Sequence, residues 1–200
     1  MTDDRKKTGL ILAAASILMF SPLAMSLLGY NIPVLQNLGF ARDSLAPLTT
    51  WMLAIIVAIG YIAYTFKVIP FVANMQREIS LFKLLGIISA IVGGIVEEAV
   101  FRRWFMDSLM YGGFGPVVQI ILSGVVFGLA HAAWLLAKRE FKFALPAMFS
   151  TAVLGTLLAV IYLLGGRNLG PCIFAHILIN IVIEPWLMLS SVSGKWKTSQ

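Results

Sequence analysis

The sequence predicts an all-α fold: a polytopic membrane helix bundle of about six transmembrane helices plus one interfacial amphipathic helix. The chain has 200 residues, of which 60% are hydrophobic and only 12% charged, about half the charged fraction of an ordinary soluble domain. The apolar residues also lie in stretches of roughly 20, the length that an α-helix needs to cross a bilayer. Glycine, proline and charged residues separate these stretches. The solvent for most of this chain is therefore lipid.

Six apolar stretches are long enough to span a membrane. They lie near residues 9–29, 46–66, 85–110, 116–137, 143–164 and 169–190. The first stretch is too long for the apolar core of a signal peptide, so we expect an uncleaved span. No internal repeat or low-complexity linker divides the sequence, and we expect a single transmembrane domain over residues 1–200.

Residues 68–83 have a different pattern from the six apolar stretches. Phe71, Met75, Ile79 and Phe82 recur at helical spacing, and charged residues lie between them. A helix with one apolar and one charged face typically lies in the plane of the membrane surface. The pattern therefore predicts an amphipathic interfacial helix over this segment.

The basic residues indicate the orientation of the chain. If the N-terminus is inside, the inner segments hold 11 Lys and Arg residues and the outer segments hold 4. Because cytoplasmic loops carry the excess of positive charge, we expect both termini to face the cytoplasm from a cell membrane. These residues occur in small groups, which suits binding to anionic lipid headgroups and argues against a nucleic-acid partner. The single cysteine, Cys172, excludes an intramolecular disulfide framework.

The third predicted span contains two adjacent carboxylates, Glu97 and Glu98, followed by Arg102. An ionisable group at membrane depth costs at least ~2.5–3.5 kcal/mol. Arg102 lies four residues after Glu98, so it can pair with Glu98 and leave Glu97 to face elsewhere. One paired and one available carboxylate is the arrangement that a general base requires. The structural alternative is a helix end in the headgroup region, where Glu and Arg are ordinary.

The fourth span contains His131. The turn that joins spans three and four is centred near Gly113–Phe114, with Glu97 about 16 residues before it and His131 about 17 residues after it. At ~1.5 Å per residue, an antiparallel hairpin would place Glu97 and His131 at the same depth. The alternative is a histidine that only contributes to packing.

The sixth span contains His176 and Asn180, which share a helix face because they are four residues apart. Together their side chains can present two hydrogen-bond donors to one oxygen, as an oxyanion site requires. The alternative is a modest hydrogen bond between helices, of order ~0.6 kcal/mol.

Three motifs in this order resemble those of the CAAX protease and bacteriocin-processing family (CPBP, or Abi) of intramembrane proteases. The motifs are Glu97-Glu98-x-x-x-Arg102, Phe127-x-x-x-His131 and His176-x-x-x-Asn180. The resemblance covers about residues 85–190, which would form the catalytic core. It implies an intramembrane endopeptidase that hydrolyses a peptide bond of a membrane-associated substrate. A prenylated CAAX terminus and a leader-bearing peptide both remain open as substrates.

The resemblance also implies a role for each residue of the motifs. Glu97 would be the general base, and His131 would help to hold the attacking water. His176 and Asn180 would stabilise the tetrahedral oxyanion. Glu98 would orient the site as an ion pair with Arg102, which here precedes a second arginine where relatives often have a small residue.

A zinc-dependent variant of the same chemistry stays open. Two histidines and a glutamate could hold Zn²⁺ with a free fourth position, with Glu98 as the base. The two histidines come from different helices, without the compact H-E-x-x-H spacing, so we expect no metal and no other cofactor. Three other hypotheses are a non-catalytic membrane scaffold that binds partners, a proton-coupled transporter and a cysteine protease using Cys172 with His176.

Overall fold

The computed structural model describes residues 3–29, 37–137 and 141–196, and its regular elements there are all helical. In chain order the α-helices are α1 (Asp3–Gly29), α2 (Leu48–Val68), α3 (Pro70–Met75), α4 (Leu81–Glu98), α5 (Asp107–Tyr111), α6 (Pro116–Ala137), α7 (Phe141–Leu164) and α8 (Gly170–Ser193). A short 3-10 helix, Arg42–Ser44, precedes α2, and a π-helical segment, Ala99–Met106, joins α4 to α5. The predicted all-α class is confirmed.

Within the described residues, five stretches are long and apolar enough to cross a membrane. They are Leu48–Val68, Leu81–Tyr111, Pro116–Ala133, Ala144–Leu164 and Gly170–Ser193. These stretches coincide with the second to sixth predicted spans. Helix α1 covers the first predicted span but is not among the five, so that span remains a prediction. Large apolar side chains such as Ile56 and Phe149 are exposed on the protein surface, as expected where lipid is the solvent.

The amphipathic helix predicted over residues 68–83 is shorter in the structure. Helix α3 ends at Met75, and α4 begins at Leu81. The hydroxyl of Ser80 accepts the backbone N–H of Lys83 at 3.3 Å, an N-cap contact that starts α4 as a separate helix. The Lys83 ammonium donates to the Gln76 carbonyl at 2.5 Å and closes the turn between the two helices. The prediction of one continuous helix was wrong because the spacing of apolar residues does not show that Ser80 caps the start of a new helix.

The chain divides into two compact units. The first contains residues 1–37, 58–97 and 173–200. In this unit α4 packs antiparallel on α8, with Gly86 against Pro185 and Gly94 against Ile177. A Cβ atom at Gly86 would lie 2.1 Å from Pro185 Cγ, and one at Gly94 would lie 2.7 Å from Ile177 Cγ1. The two helices therefore approach this closely only because glycine occupies both positions.

The second unit contains residues 38–57 and 98–172. Here α6 packs on α7 through glycine, since a Cβ atom at Gly128 would lie 2.5 Å from the Met148 carbonyl oxygen. The π-helical segment packs on α6. The Ser123 hydroxyl donates to the Phe101 carbonyl at 3.4 Å, and the ring of Phe101 meets that of Phe127 edge-on at 5.0 Å.

Candidate active site

Glu98 and Arg102 form a buried ion pair in the second unit. Arg102 Nη1 lies 3.1 Å from Glu98 Oε1, and neither side chain is exposed to solvent. The guanidinium also donates from Nη2 to the Gly155 carbonyl of α7 at 3.1 Å and lies 4.7 Å above the ring of Phe127. The pairing predicted from the four-residue spacing is confirmed. The Glu98 carboxylate is therefore paired with Arg102 and is not accessible to solvent.

The helix that carries this pair is not α-helical throughout. From Ala99 to Met106 it is π-helical, with backbone hydrogen bonds from each residue to the fifth along the chain. Segments of this kind are uncommon and are frequent at functional sites. We expected a continuous α-helix over residues 85–110, and that expectation was wrong for this segment. Apolar composition gave no signal for it, because all of residues 99–106 except the two arginines are apolar, as in an ordinary membrane-spanning α-helix.

Glu97 and His176 face each other in the first unit. Glu97 Oε2 lies 3.8 Å from His176 Nε2, a distance that suits a charged pair or a shared water molecule. The His176 side chain is 1% exposed, whereas that of Glu97 is 18% exposed. Gly93 lies one turn earlier on α4, and a Cβ atom there would be in ordinary contact with Glu97 Oε1 at 3.5 Å. Glu97 is thus the accessible member of the glutamate pair.

Asn180 lies one turn beyond His176 on α8, a regular α-helix at this point. The two side chains therefore share a face, as the spacing predicts. Asn180 is half-buried. The structure thus places the two residues predicted to form an oxyanion site on one face of α8.

His131 lies on α6 in the second unit and is exposed at the protein surface. Its ring packs against Phe127 with centroids 4.2 Å apart, and its Nδ1 lies 2.9 Å from the Phe127 carbonyl oxygen. Because a carbonyl only accepts hydrogen bonds, Nδ1 must carry the proton in this contact. A neutral imidazole with its proton on Nδ1 has a hydrogen-bond acceptor at Nε2.

Two further polar residues of the last span, Cys172 and Glu184, make hydrogen bonds within the protein. Cys172 is fully buried, and its thiol donates to the Leu158 carbonyl at 3.3 Å. A buried thiol in this state is a poor nucleophile, which argues against a cysteine protease. Glu184 is half-buried and accepts a hydrogen bond from Ser89 at 2.9 Å.

Apolar spans that hold ionisable side chains inside the protein define the class of this molecule: a helical integral membrane protein whose interior contains a buried ion pair. Comparison with known families is more specific. Residues 79–182 match the type II CAAX prenyl endopeptidase Rce1-like family, and the chain belongs to this family. Comparisons with curated proteins and with solved structures gave no significant match.

Membership of this family implies a CAAX-type intramembrane endopeptidase that acts on a peptide or protein substrate in a membrane environment. The resemblance to CAAX proteases inferred from three short motifs is therefore confirmed. The matched residues contain every predicted site residue, from Glu97 to Asn180. They also contain the π-helical segment, which the motifs did not indicate.

Proposed function

We propose that the protein cleaves a peptide bond of a membrane-associated substrate with a water molecule that Glu97 activates. One observation carries this assignment. Of two adjacent glutamates, Glu98 is fully buried in an ion pair with Arg102, whereas Glu97 is partly exposed and faces His176. A general base must reach its water and accept a proton, and Glu97 meets that requirement better than Glu98.

The reaction then proceeds by ordinary acid–base steps. Glu97 takes a proton from the water, and the oxygen of that water attacks the scissile carbonyl carbon. Donors from His176 and Asn180 stabilise the negative charge that develops on the carbonyl oxygen, while Nε2 of His131 helps to orient the water. As the C–N bond breaks, Glu97 returns the proton to the leaving amine, so atoms and charge balance.

Replacing Glu97 by Gln tests this assignment. Glutamine keeps the size of the side chain but cannot take the proton, so the rate should fall by about 10²–10⁴-fold. Cleavage is measured in detergent micelles on a farnesylated peptide that ends in a CAAX sequence, with the unmodified peptide beside it. Thermal unfolding and gel filtration in detergent show whether the variant is folded.

The matched control is Asp43→Asn, which removes an exposed carboxylate in the short 3-10 helix and should cleave at the wild-type rate. A folded Glu97→Gln protein that cleaves normally would contradict the mechanism. If wild type and variant both capture the peptide and neither cuts it, the scaffold hypothesis is favoured. Equal cleavage of the two wild-type peptides would exclude prenyl recognition.

We further propose that the reaction needs no metal. A zinc enzyme with Glu97 as a ligand would need Glu98 as its base, but Glu98 is buried against Arg102. In the proposed hydrolysis, protein side chains alone supply the proton acceptor and the hydrogen-bond donors to the oxyanion. Prolonged treatment with a strong chelator should therefore leave the cleavage rate unchanged. Loss of activity that added Zn²⁺ restores would favour the zinc-dependent variant.

We also infer that the proposed site residues belong to a single transmembrane domain. Both termini of the chain lie on the cytoplasmic side of the membrane. The excess of basic residues in the segments assigned to that side supports this orientation. Epitope tags at either end of the chain should resist an external protease in cells whose outer envelope has been removed and whose cell membrane is intact. Digestion of either tag before the membrane is permeabilised would reverse the assignment.

A further inference from the structure

A second polar cluster lies in the second unit, at the far end of the π-helical segment. Asp107 is the first residue after that segment, and its carboxylate accepts hydrogen bonds from the Tyr162 hydroxyl at 3.1 and 3.2 Å. Arg167 pairs with the same carboxylate and donates to Gln119 Oε1 at 2.7 Å. The Gln119 amide donates in turn to the Phe114 carbonyl at 2.7 Å. We refer to Asp107, Tyr162, Arg167 and Gln119 as the Asp107 cluster.

The middle of the π-helical segment and the residue that follows it thus dock on one helix. Arg102 binds the Gly155 carbonyl of α7, and Asp107 binds Tyr162 of the same helix. Gly155 and Tyr162 are seven residues apart, almost two α-helical turns, so they lie on one face of α7. The segment is therefore fixed to α7 at two points about 10 Å apart along the helix.

A widened helix brings the two anchors closer to one face. Arg102 and Asp107 are five residues apart, and in an α-helix their side chains would point about 140° away from each other. In a π-helix the hydrogen bonds join residues five apart, so the angle between the two side chains is smaller. The π geometry therefore favours attachment of both residues to α7.

We propose that the Asp107 cluster is a positioning device that holds residues 99–106 in the π-helical form and thereby keeps the Glu98–Arg102 pair seated. Asp107 acts through that pair and does not touch substrate. The helix that presents Glu97 and Glu98 runs directly into this segment, so its register sets the direction in which both carboxylates leave the helix. The link to catalysis rests on the proposed function, whereas the structural part does not.

The principal test is Asp107→Ala, which removes the acceptor for Tyr162 and Arg167 together. In the detergent-solubilised full-length protein, backbone amides of residues 99–107 should exchange with deuterium at least about tenfold faster, because the segment opens locally. Exchange in the first three turns of α4 should not change. The kcat for the farnesylated CAAX peptide should fall about 10–100-fold with KM within about twofold of wild type, since misplacement acts on the reacting groups.

Three further variants keep the test decisive. Asp107→Asn retains an acceptor for Tyr162 and should recover part of the protection and of kcat. Tyr162→Phe removes one hydroxyl, so it tests the same contact if Asp107→Ala does not fold. Asp43→Ala removes an exposed carboxylate elsewhere in the same unit and should change neither readout.

The two proposals fail in different ways. Wild-type exchange at residues 99–107 in Asp107→Ala would overturn the positioning role, whether or not the enzyme cuts the peptide. Faster exchange with an unchanged kcat would overturn its link to catalysis. A wild-type protein that cleaves no peptide contradicts the proposed function alone, and the exchange measurement then still decides whether the Asp107 cluster holds the segment.

Discussion

At the scale of single residues, the buried pair of Glu98 and Arg102 depends on both of its members. Each side chain has no exposure to solvent, and the guanidinium is held further by a carbonyl and an aromatic ring. A charge in such a place is tolerated because its partner and its hydrogen bonds compensate for the water it has lost. Removing one partner is therefore more costly than removing both.

We predict that Arg102→Gln destabilises the protein by about 3–5 kcal/mol, because it leaves the Glu98 carboxylate buried without its countercharge. The double variant Glu98→Gln/Arg102→Gln should be closer to wild type. Arg42→Gln changes an exposed arginine in the short 3-10 helix and should shift stability by less than about 0.5 kcal/mol. Unfolding by denaturant in detergent gives these differences. Equal losses in the two arginine variants would show that the buried pair has no special role.

The sequence was informative about this pair because its geometry is local. Two residues four positions apart on a helix meet whatever the helix packs against. The sequence could not indicate that the Gly155 carbonyl would accept a hydrogen bond from Arg102, since that contact joins residues far apart along the chain. The sequence could not indicate the Asp107 cluster either, because its residues are also far apart along the chain.

At the scale of helices, the packing of α4 on α8 sets where Glu97 and His176 meet. Ser89 and Glu184 bond across the same pair of helices, and glycines at two positions let the backbones approach. Small residues at the contact are the usual means by which membrane helices pack closely, because lipid offers no hydrophobic driving force between them.

Gly86→Ala should destabilise the protein by about 1–3 kcal/mol, because the added methyl group would overlap Pro185. Gly60→Ala is the matched control, since nothing lies within 4 Å of a Cβ atom there. That substitution should be neutral or stabilising by up to about 1 kcal/mol through helix propensity. Both are measured as shifts in the midpoint of thermal unfolding in detergent. A Gly86→Ala protein as stable as Gly60→Ala would contradict the close packing.

At the scale of the whole molecule, the first unit is joined by contacts between distant parts of the sequence. Arg5 of α1 donates two hydrogen bonds of 2.7 Å to Glu78, 73 residues away. These bonds hold the pKa of the Glu78 carboxyl below its usual value of 4.5. Arg5 also lies 6.0 Å above the ring of Trp186 on α8.

The Glu78 contact should make stability depend on pH. Because its pKa is lower in the folded protein than in the unfolded chain, its contribution is fully present above 4.5 and is lost as the pH falls through the folded value. Wild type should be more stable than Glu78→Gln by about 0.5–1 kcal/mol near neutral pH. This difference in unfolding free energy should shrink in acid. A difference that stays constant with pH would exclude the carboxylate as its source.

The sequence by itself determined the membrane setting, the approximate spans and the motif residues of this protein. Each depends on a local property: the transfer of an apolar stretch into lipid is decided stretch by stretch, and residues four apart share a helix face in any surroundings. The predicted ion pair between Glu98 and Arg102 was confirmed for the same reason.

Tertiary structure alone decided the π-helical segment, the end of α3 at Met75 and the distance between Glu97 and His176. A π-helix is uncommon and occurs in short segments, and here distant groups, Gly155 and Tyr162, hold its middle and its far end. Such contacts join residues many turns apart, and no spacing along the chain encodes them. The sequence shows the ionisable residues themselves. It does not show the packing that leaves Glu97 partly exposed and buries Glu98 completely.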